Sequence, residues 1–183
     1  MLSAKLKEET KEAHQSLEAV VIRRIKSIRS HEQYADLLHK FYGYHFPLEL
    51  TFDRFFTDDI IPHYTDRRKS DLILKDLDNL GMKQSISLAT ELPQLNTMPQ
   101  AFGAYYVLEG STQGGEIVAN MLIKHAGLTP ETTSFFNVYG DKKKEMWQSF
   151  KEKMDFFFGD RFRADEVITA ANETFSRFEA WMR

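Results

Sequence analysis

Two groups of residues in this chain have types and spacings that could do chemistry. The first is His14 with Lys7. At helical spacing the apolar stripe of the N-terminal segment centres on Thr10, Leu17, Val21 and Ile28, and His14 lies on its flank. Such a histidine is partly buried, with one ring nitrogen free to point inward at a soft metal centre. Lys7 lies two turns earlier, about 10 Å along a helix axis, where an ammonium suits the anionic edge of a ligand. Each residue alone has a blander reading, as a boundary histidine and a solvated lysine. The second group is Glu109-Gly110-Ser111-Thr112-Gln113-Gly114-Gly115. Glycine inside a helix costs about 1 kcal/mol relative to alanine, so the three here cost about 3 kcal/mol unless something compensates. Close helix packing would compensate, and so would a loop between two helices. A third solution is a helix bent over a flat ligand with its backbone almost touching it, the glycines leaving out the Cβ. A phosphate loop is disfavoured, because no Gly-Lys-Ser/Thr follows and no strand precedes.

The elements that must position these residues read as helices throughout. Ser3 caps a first helix running to about Arg29, with Leu6, Ala13, Leu17, Val20, Val21, Ile25 and Ile28 on one side. Ser30-His31-Glu32-Gln33 is a capping box that starts a second. Pro47 removes a backbone donor there and should kink or divide that helix, which ends by Ile61-Pro62. A shorter helix spans about Lys69 to Leu80 and stops at Gly81. Residues 83–98 are mixed. Pro99 opens a long apolar helix from Ala101 to about Ala126, ended by Gly127. Two more run from about Lys142 to Phe158 and from about Asp165 to Trp181. No segment alternates with period two between turn residues. The expected fold class is all-α, a single domain over 1–183 with short connections.

Composition narrows the function. The chain has 183 residues, 24 Lys and Arg against 27 Asp and Glu, and a net charge of −3, which disfavours general nucleic-acid binding. There is no cysteine, so disulfides, thiolate zinc sites and cysteine nucleophiles are excluded. No apolar run reaches the roughly 18–20 residues of a membrane span. The N-terminus lacks the apolar stretch of a signal peptide. The expectation is a soluble, cytoplasmic, single-domain protein, with a monomer as the default state. A di-iron centre would want paired Glu-x-x-His turns. None occurs, and Asp36-x-x-His39 is the single carboxylate analogue.

A histidine helix on one face and a kinked glycine helix on the other describe a haem sandwich, and here the sequence resembles the biliverdin-producing haem oxygenases. Lys7-Glu8-Glu9-Thr10-Lys11-Glu12-Ala13-His14 resembles the family's proximal segment, which ends in the iron-ligating histidine. Tyr105-Tyr106-Val107-Leu108-Glu109-Gly110-Ser111-Thr112-Gln113-Gly114-Gly115 resembles its distal helix, in the Leu-Glu-Gly-Ser form closest to bacterial members. Phe150-Lys151-Glu152-Lys153-Met154 resembles the late basic helix that holds the haem propionates. The similarity covers nearly the whole chain.

The resemblance implies a haem-opening oxidoreductase. Haem would be cofactor and substrate, and O₂ with electrons from an external reductase or ferredoxin would yield biliverdin, CO and Fe²⁺. It implies His14 as the iron ligand, with Glu18 a candidate to hold its other nitrogen. It places Gly110, Ser111 and Gly114 at the reacting face, Gly115 beside the ring, and Lys7, Tyr105 and Lys151 at the propionates. Lys142, Lys143, Lys144 and Lys153 compete for that last role. One departure stands out. Many members carry an aspartate after the first distal glycine, to order water for proton delivery. Here that residue is Ser111, an uncharged and weaker organiser. The departure raises a second reading on the same fold, a non-catalytic haem carrier or sensor.

Overall fold

The computed structural model describes residues 1–82, 85–159 and 161–183, and of 161 and 162 the backbone alone. Eight α-helices carry the chain: α1 (Leu2–Glu9), α2 (Lys11–Ser27), α3 (His31–Phe52), α4 (Asp71–Asn79), α5 (Met98–Gly110), α6 (Thr112–Ala126), α7 (Lys143–Phe158) and α8 (Arg161–Met182). Among the described residues there is no strand. Nor is any helix among them long and apolar enough to cross a membrane. The all-α, one-domain expectation holds.

α8 is the central element. Val167, Ala171, Phe175, Phe178 and Met182 are buried along it at the three- and four-residue spacing of one helix face. α5 packs along it most closely, and α2 lies against it as well. Gly103 makes the α5 approach possible, since a Cβ there would lie 2.2 Å from the Val167 carbonyl oxygen.

Ser3 does not cap the first helix, which starts at Leu2 and turns Ser3 toward Asp155. α8 starts at Arg161, before Asp165. Three further differences from the sequence reading each have a local reason. The first helix is two. Thr10 takes φ −105°, ψ 3° between α1 and α2, and its Oγ1 donates to the Leu6 carbonyl at 2.7 Å. A hydroxyl that bonds the turn behind it offers the chain an alternative to straight continuation. The long apolar helix is also two, broken at Ser111. The break is a bend and not a loop, because Ser111 stays helical (φ −63°, ψ −20°) and its N–H still reaches the Val107 carbonyl at 3.3 Å. Pro47, by contrast, leaves α3 undivided. The carbonyl that a proline ring deprives of its partner is four residues back. That carbonyl, on Gly43, instead accepts from Ala89 N–H at 2.9 Å. The segment carrying Ser87 and Ala89 thus replaces the missing helical bond, and the absent Gly43 side chain lets its backbone come close enough.

The caps follow the same logic. Ser30 Oγ accepts from Gln33 N–H at 3.3 Å, while the Gln33 side chain accepts one residue further back, from Arg29 N–H at 2.7 Å. A capping box that the sequence reading passed over, Thr97 with Gln100, starts α5.

Candidate functional site

The glycine-rich bend rests on a buried polar brace. Residues 65–70 are pinned beneath it. Asp58 Oδ1 accepts from Thr65 N–H at 2.9 Å, and Glu49 accepts from Ser70 N–H and Oγ at 2.8 and 2.6 Å. Between these pins Arg67 and Arg68 are directed inward. Arg67 Nη1 meets Glu109 Oε1 at 2.5 Å and the Met146 carbonyl at 2.9 Å. Its Nη2 donates to Ser149 Oγ at 3.0 Å and its Nε to the Pro62 carbonyl at 3.1 Å. The two side chains of this ion pair are 0% and 2% exposed. Tyr139 donates to the second Glu109 oxygen at 3.1 Å and accepts from Arg68 N–H at 2.8 Å. The Arg68 guanidinium lies over the Phe135 ring, 4.6 Å from its centroid, and donates to Ser111 Oγ at 2.7 Å and to the Leu108 carbonyl. Burial pushes the Arg68 guanidinium below its usual range, against the pull of Tyr139 and Glu109.

None of Arg67, Arg68 or Tyr139 entered the sequence reading. One signal was present. Glu109 is a carboxylate inside an otherwise apolar helix, and a buried carboxylate demands a cation. Its partner lies 42 residues away in a loop, which no local spacing rule reaches.

The predicted site residues fall into distinct settings. Gly110 lies under Trp147, whose ring would be 3.3 Å from a Cβ. Gly114 is exposed, and a Cβ there would meet nothing within 4 Å. Gly115 does not face open space. A Cβ would lie 1.8 Å from the Phe136 carbonyl oxygen, so this glycine serves packing and not a ligand surface. Tyr105 likewise turns into the core, with its ring against Phe52, Phe56 and Phe150. Its hydroxyl is buried, pushed upward in pKa by that burial, and faces a cavity it shares with His45, Glu49, Arg68, Leu108 and Glu109. The cavity has room for about one water. His45 Nε2 is the second buried atom there without a partner. The propionate role expected of Tyr105 therefore does not match where its side chain points.

Tyr106 is the tyrosine on the open side. It is half-buried, and its ring lies tilted against Trp147 with centroids 5.2 Å apart. Helix contacts set the geometry, with α1 on α7 and α2 on α1. His14 lies one turn beyond Thr10 on α2, and Gly110 one turn beyond Tyr106 on α5. α2 also touches α6. His14 is exposed, more so than the sequence reading supposed, and its ring leans on Phe175 at 5.4 Å. Glu18 is exposed too and makes no hydrogen bond to it.

A second anchor lies at the other end of α1. Ser3 N–H and Oγ both donate to Asp155, each at 2.7 Å. α1 and α7 pack against each other from this anchor. Lys7, one turn after Ser3, and Lys151, one turn before Asp155, fall beside it on the adjoining helices. Lys151 Nζ is 5.8 Å from the Trp147 ring centroid. Two competing lysines are otherwise engaged. Lys143 pairs with Glu116 at 3.0 Å, and Lys153 Nζ lies 3.5 Å from the Asp59 carbonyl.

The comparisons decide the family. The model for heme oxygenase matches residues 1–183. The chain belongs to the haem oxygenase family. A heme oxygenase from Neisseria meningitidis, solved with NO and CO bound, is similar to it with a TM-score of 0.82 and 21% identity. The match covers 100% of this chain and 90% of that one. At that identity the likeness carries the fold alone. No curated protein matches. The groups that could hold a haem are an exposed imidazole at His14, open backbone at Gly114, exposed apolar surface at Ile117 (67% exposed) on α6, and the ammoniums of Lys7 and Lys151 on adjoining helices. Among the described residues no group of three or more His, Asp or Glu could hold a metal ion. A single imidazole beneath a haem iron requires none.

Proposed function

We propose that this protein is an active haem oxygenase. It takes haem as cofactor and substrate and opens it, with O₂ and electrons from a separate ferredoxin or flavoprotein reductase, to biliverdin, CO and Fe²⁺. The observation that carries this reading is the opposition of two unlike faces where α2 touches α6. One presents an imidazole. The other presents a bent helix whose Gly114 leaves open space.

Haem, when bound, supplies an iron that takes up O₂. The chain's own residues do the rest. His14 would hold the iron through a ring nitrogen. Gly114 lets a flat ring and a small diatomic approach the α6 backbone. Lys7 and Lys151 orient two carboxylates through charge-assisted contacts. Tyr106 and Trp147 cover one edge and exclude water from it.

Ser111 is better equipped than its lack of charge suggests. Its Oγ donates to the Leu108 carbonyl at 2.7 Å and accepts from Arg68 at 2.7 Å. One lone pair is left to hold a water. A fixed cation, in place of an aspartate's negative charge, orients this hydroxyl. The carrier or sensor reading gains no observation of its own.

The test is a haem titration of the purified protein, then ascorbate or a ferredoxin–reductase pair in air. We expect a saturable haem band that decays to a biliverdin spectrum. A haem complex that binds CO but never turns over would establish the carrier reading. No saturable binding would overturn both.

A further inference from the structure

Any haem in this cleft can be turned in its own plane, and the turn decides which carbon bridge of the ring faces the bend. Two features set it. The bend itself lies at Gly110–Gly114, on α5 and α6. The cationic edge, Lys151, lies on α7. Trp147 lies against Gly110, an aromatic ring on a bare backbone, close but without direction of its own. The directional contacts, Gln113 Nε2 to the Lys143 carbonyl at 3.3 Å and the Lys143–Glu116 pair, hold only the first turn of α7, two turns before Lys151.

Arg67 supplies the direction. One guanidinium bonds Glu109, the residue before Gly110, and also Met146 and Ser149 of α7, on either side of Trp147. Its Nε is fixed to the Pro62 carbonyl, and its side chain is fully buried. The guanidinium is a rigid planar fork, so these bonds fix angle and register together. Neither the haem-ligating nor the water-holding residues use it.

We infer that Arg67 is a positioning residue that holds Lys151 in register with the distal bend, and so selects which carbon bridge of haem is opened. The inference rests on the haem oxygenase reading above. The residue touches neither ring nor propionate and acts through α7. A lysine carries the charge but cannot make the forked contacts.

The experiment compares the full-length wild type with Arg67→Lys and Ser149→Ala. The second removes one α7 contact, leaves the ion pair intact, and decides the matter if the first does not fold. Two readouts are used. One is the ratio of biliverdin isomers after turnover. The other is the set of hyperfine-shifted haem methyl signals in the cyanide-bound ferric complex, which reports seating without turnover. The wild type should give one dominant isomer and one methyl set. In Arg67→Lys the minor isomer should rise about tenfold relative to the major one, and a second methyl set should appear. Ser149→Ala should move both the same way by less. Folded variants with the wild-type isomer ratio and methyl pattern would overturn the inference, and so would a wild type that seats haem in mixed orientations. A wild type that binds no haem would overturn it together with the functional reading. One that binds without turnover leaves the methyl signals to decide.

Discussion

Behind Gly110 and Ser111 stand two arginines, a buried glutamate and a tyrosine, bonded to one another and to three separate segments of chain. Behind His14 stands one phenylalanine ring, Phe175, tilted 38° to it. On the proposed reading, the two walls that would face a haem are thus built by different means. The distal wall is set by directional bonds in a dry interior, where distance and angle are both fixed. The proximal wall is a helix face whose histidine is exposed and held only by its backbone. A bend that must come within van der Waals reach of a ligand needs the first kind of support. A ligand to iron needs only to be reachable, because the bond to the metal fixes its orientation.

The difference can be broken at its strongest point. Glu109→Leu leaves the Arg67 charge buried without its partner. Stripping one member of a buried pair costs about 3–5 kcal/mol, so denaturant unfolding should move far to lower concentration. If the loss is small, water reaches Arg67 and the distal wall is softer than described. Adjacent glycines sharpen the contrast. Gly115→Ala drives a Cβ into the Phe136 carbonyl, and overpacking of that kind costs about 1–3 kcal/mol. Gly114→Ala meets nothing and should leave stability unchanged or raise it by up to about 1 kcal/mol. The same alanine should weaken haem binding, since it narrows the cleft. Equal effects of the two on stability would contradict the division between packing glycine and open glycine.

A third test uses pH. His45 is fully enclosed by Phe41, Phe135 and Phe178. Burial first, then the nearby Arg68 charge, holds its pKa well below 6.5. The unfolded chain therefore takes up this proton at a higher pH than the folded one. The His45 contribution is fully present above about pH 6.5 and is lost as pH falls below it, by up to about 1.4 kcal/mol per pH unit. Glu49, raised by burial, slopes the opposite way from its own lower starting point. The difference between wild type and His45→Met isolates the histidine. Its slope should vanish in the variant. A slope unchanged by the substitution would mean that His45 is solvated.

How much of this was legible in the sequence follows the same division. The helices were, because apolar spacing and caps act locally. Their breaks were less so. Thr10 bends the chain through a hydroxyl that any helix could have tolerated, and Pro47 spares α3 because a carbonyl is satisfied by Ala89, far along the chain. At the site, His14 and the glycine cluster were readable as types and spacings. The glycines could not be sorted by sequence, for Gly114 and Gly115 are neighbours with opposite surroundings. Tyr105 and Tyr106 posed the same problem, and the one pointing at the cleft is the second. Arg67 and Arg68 were invisible because their meaning lies wholly in distant partners.

The central claim, that an exposed and structurally dispensable His14 is the iron ligand facing a prebuilt distal wall, is tested most directly by titrating ferric haem into wild type and His14→Ala, with and without added imidazole. The variant should unfold within about 0.5 kcal/mol of the wild type, as surface substitutions do. It should lose the histidine-ligated haem spectrum and recover it when imidazole is supplied. A variant that binds haem with the wild-type spectrum and no imidazole would show that another residue ligates the iron.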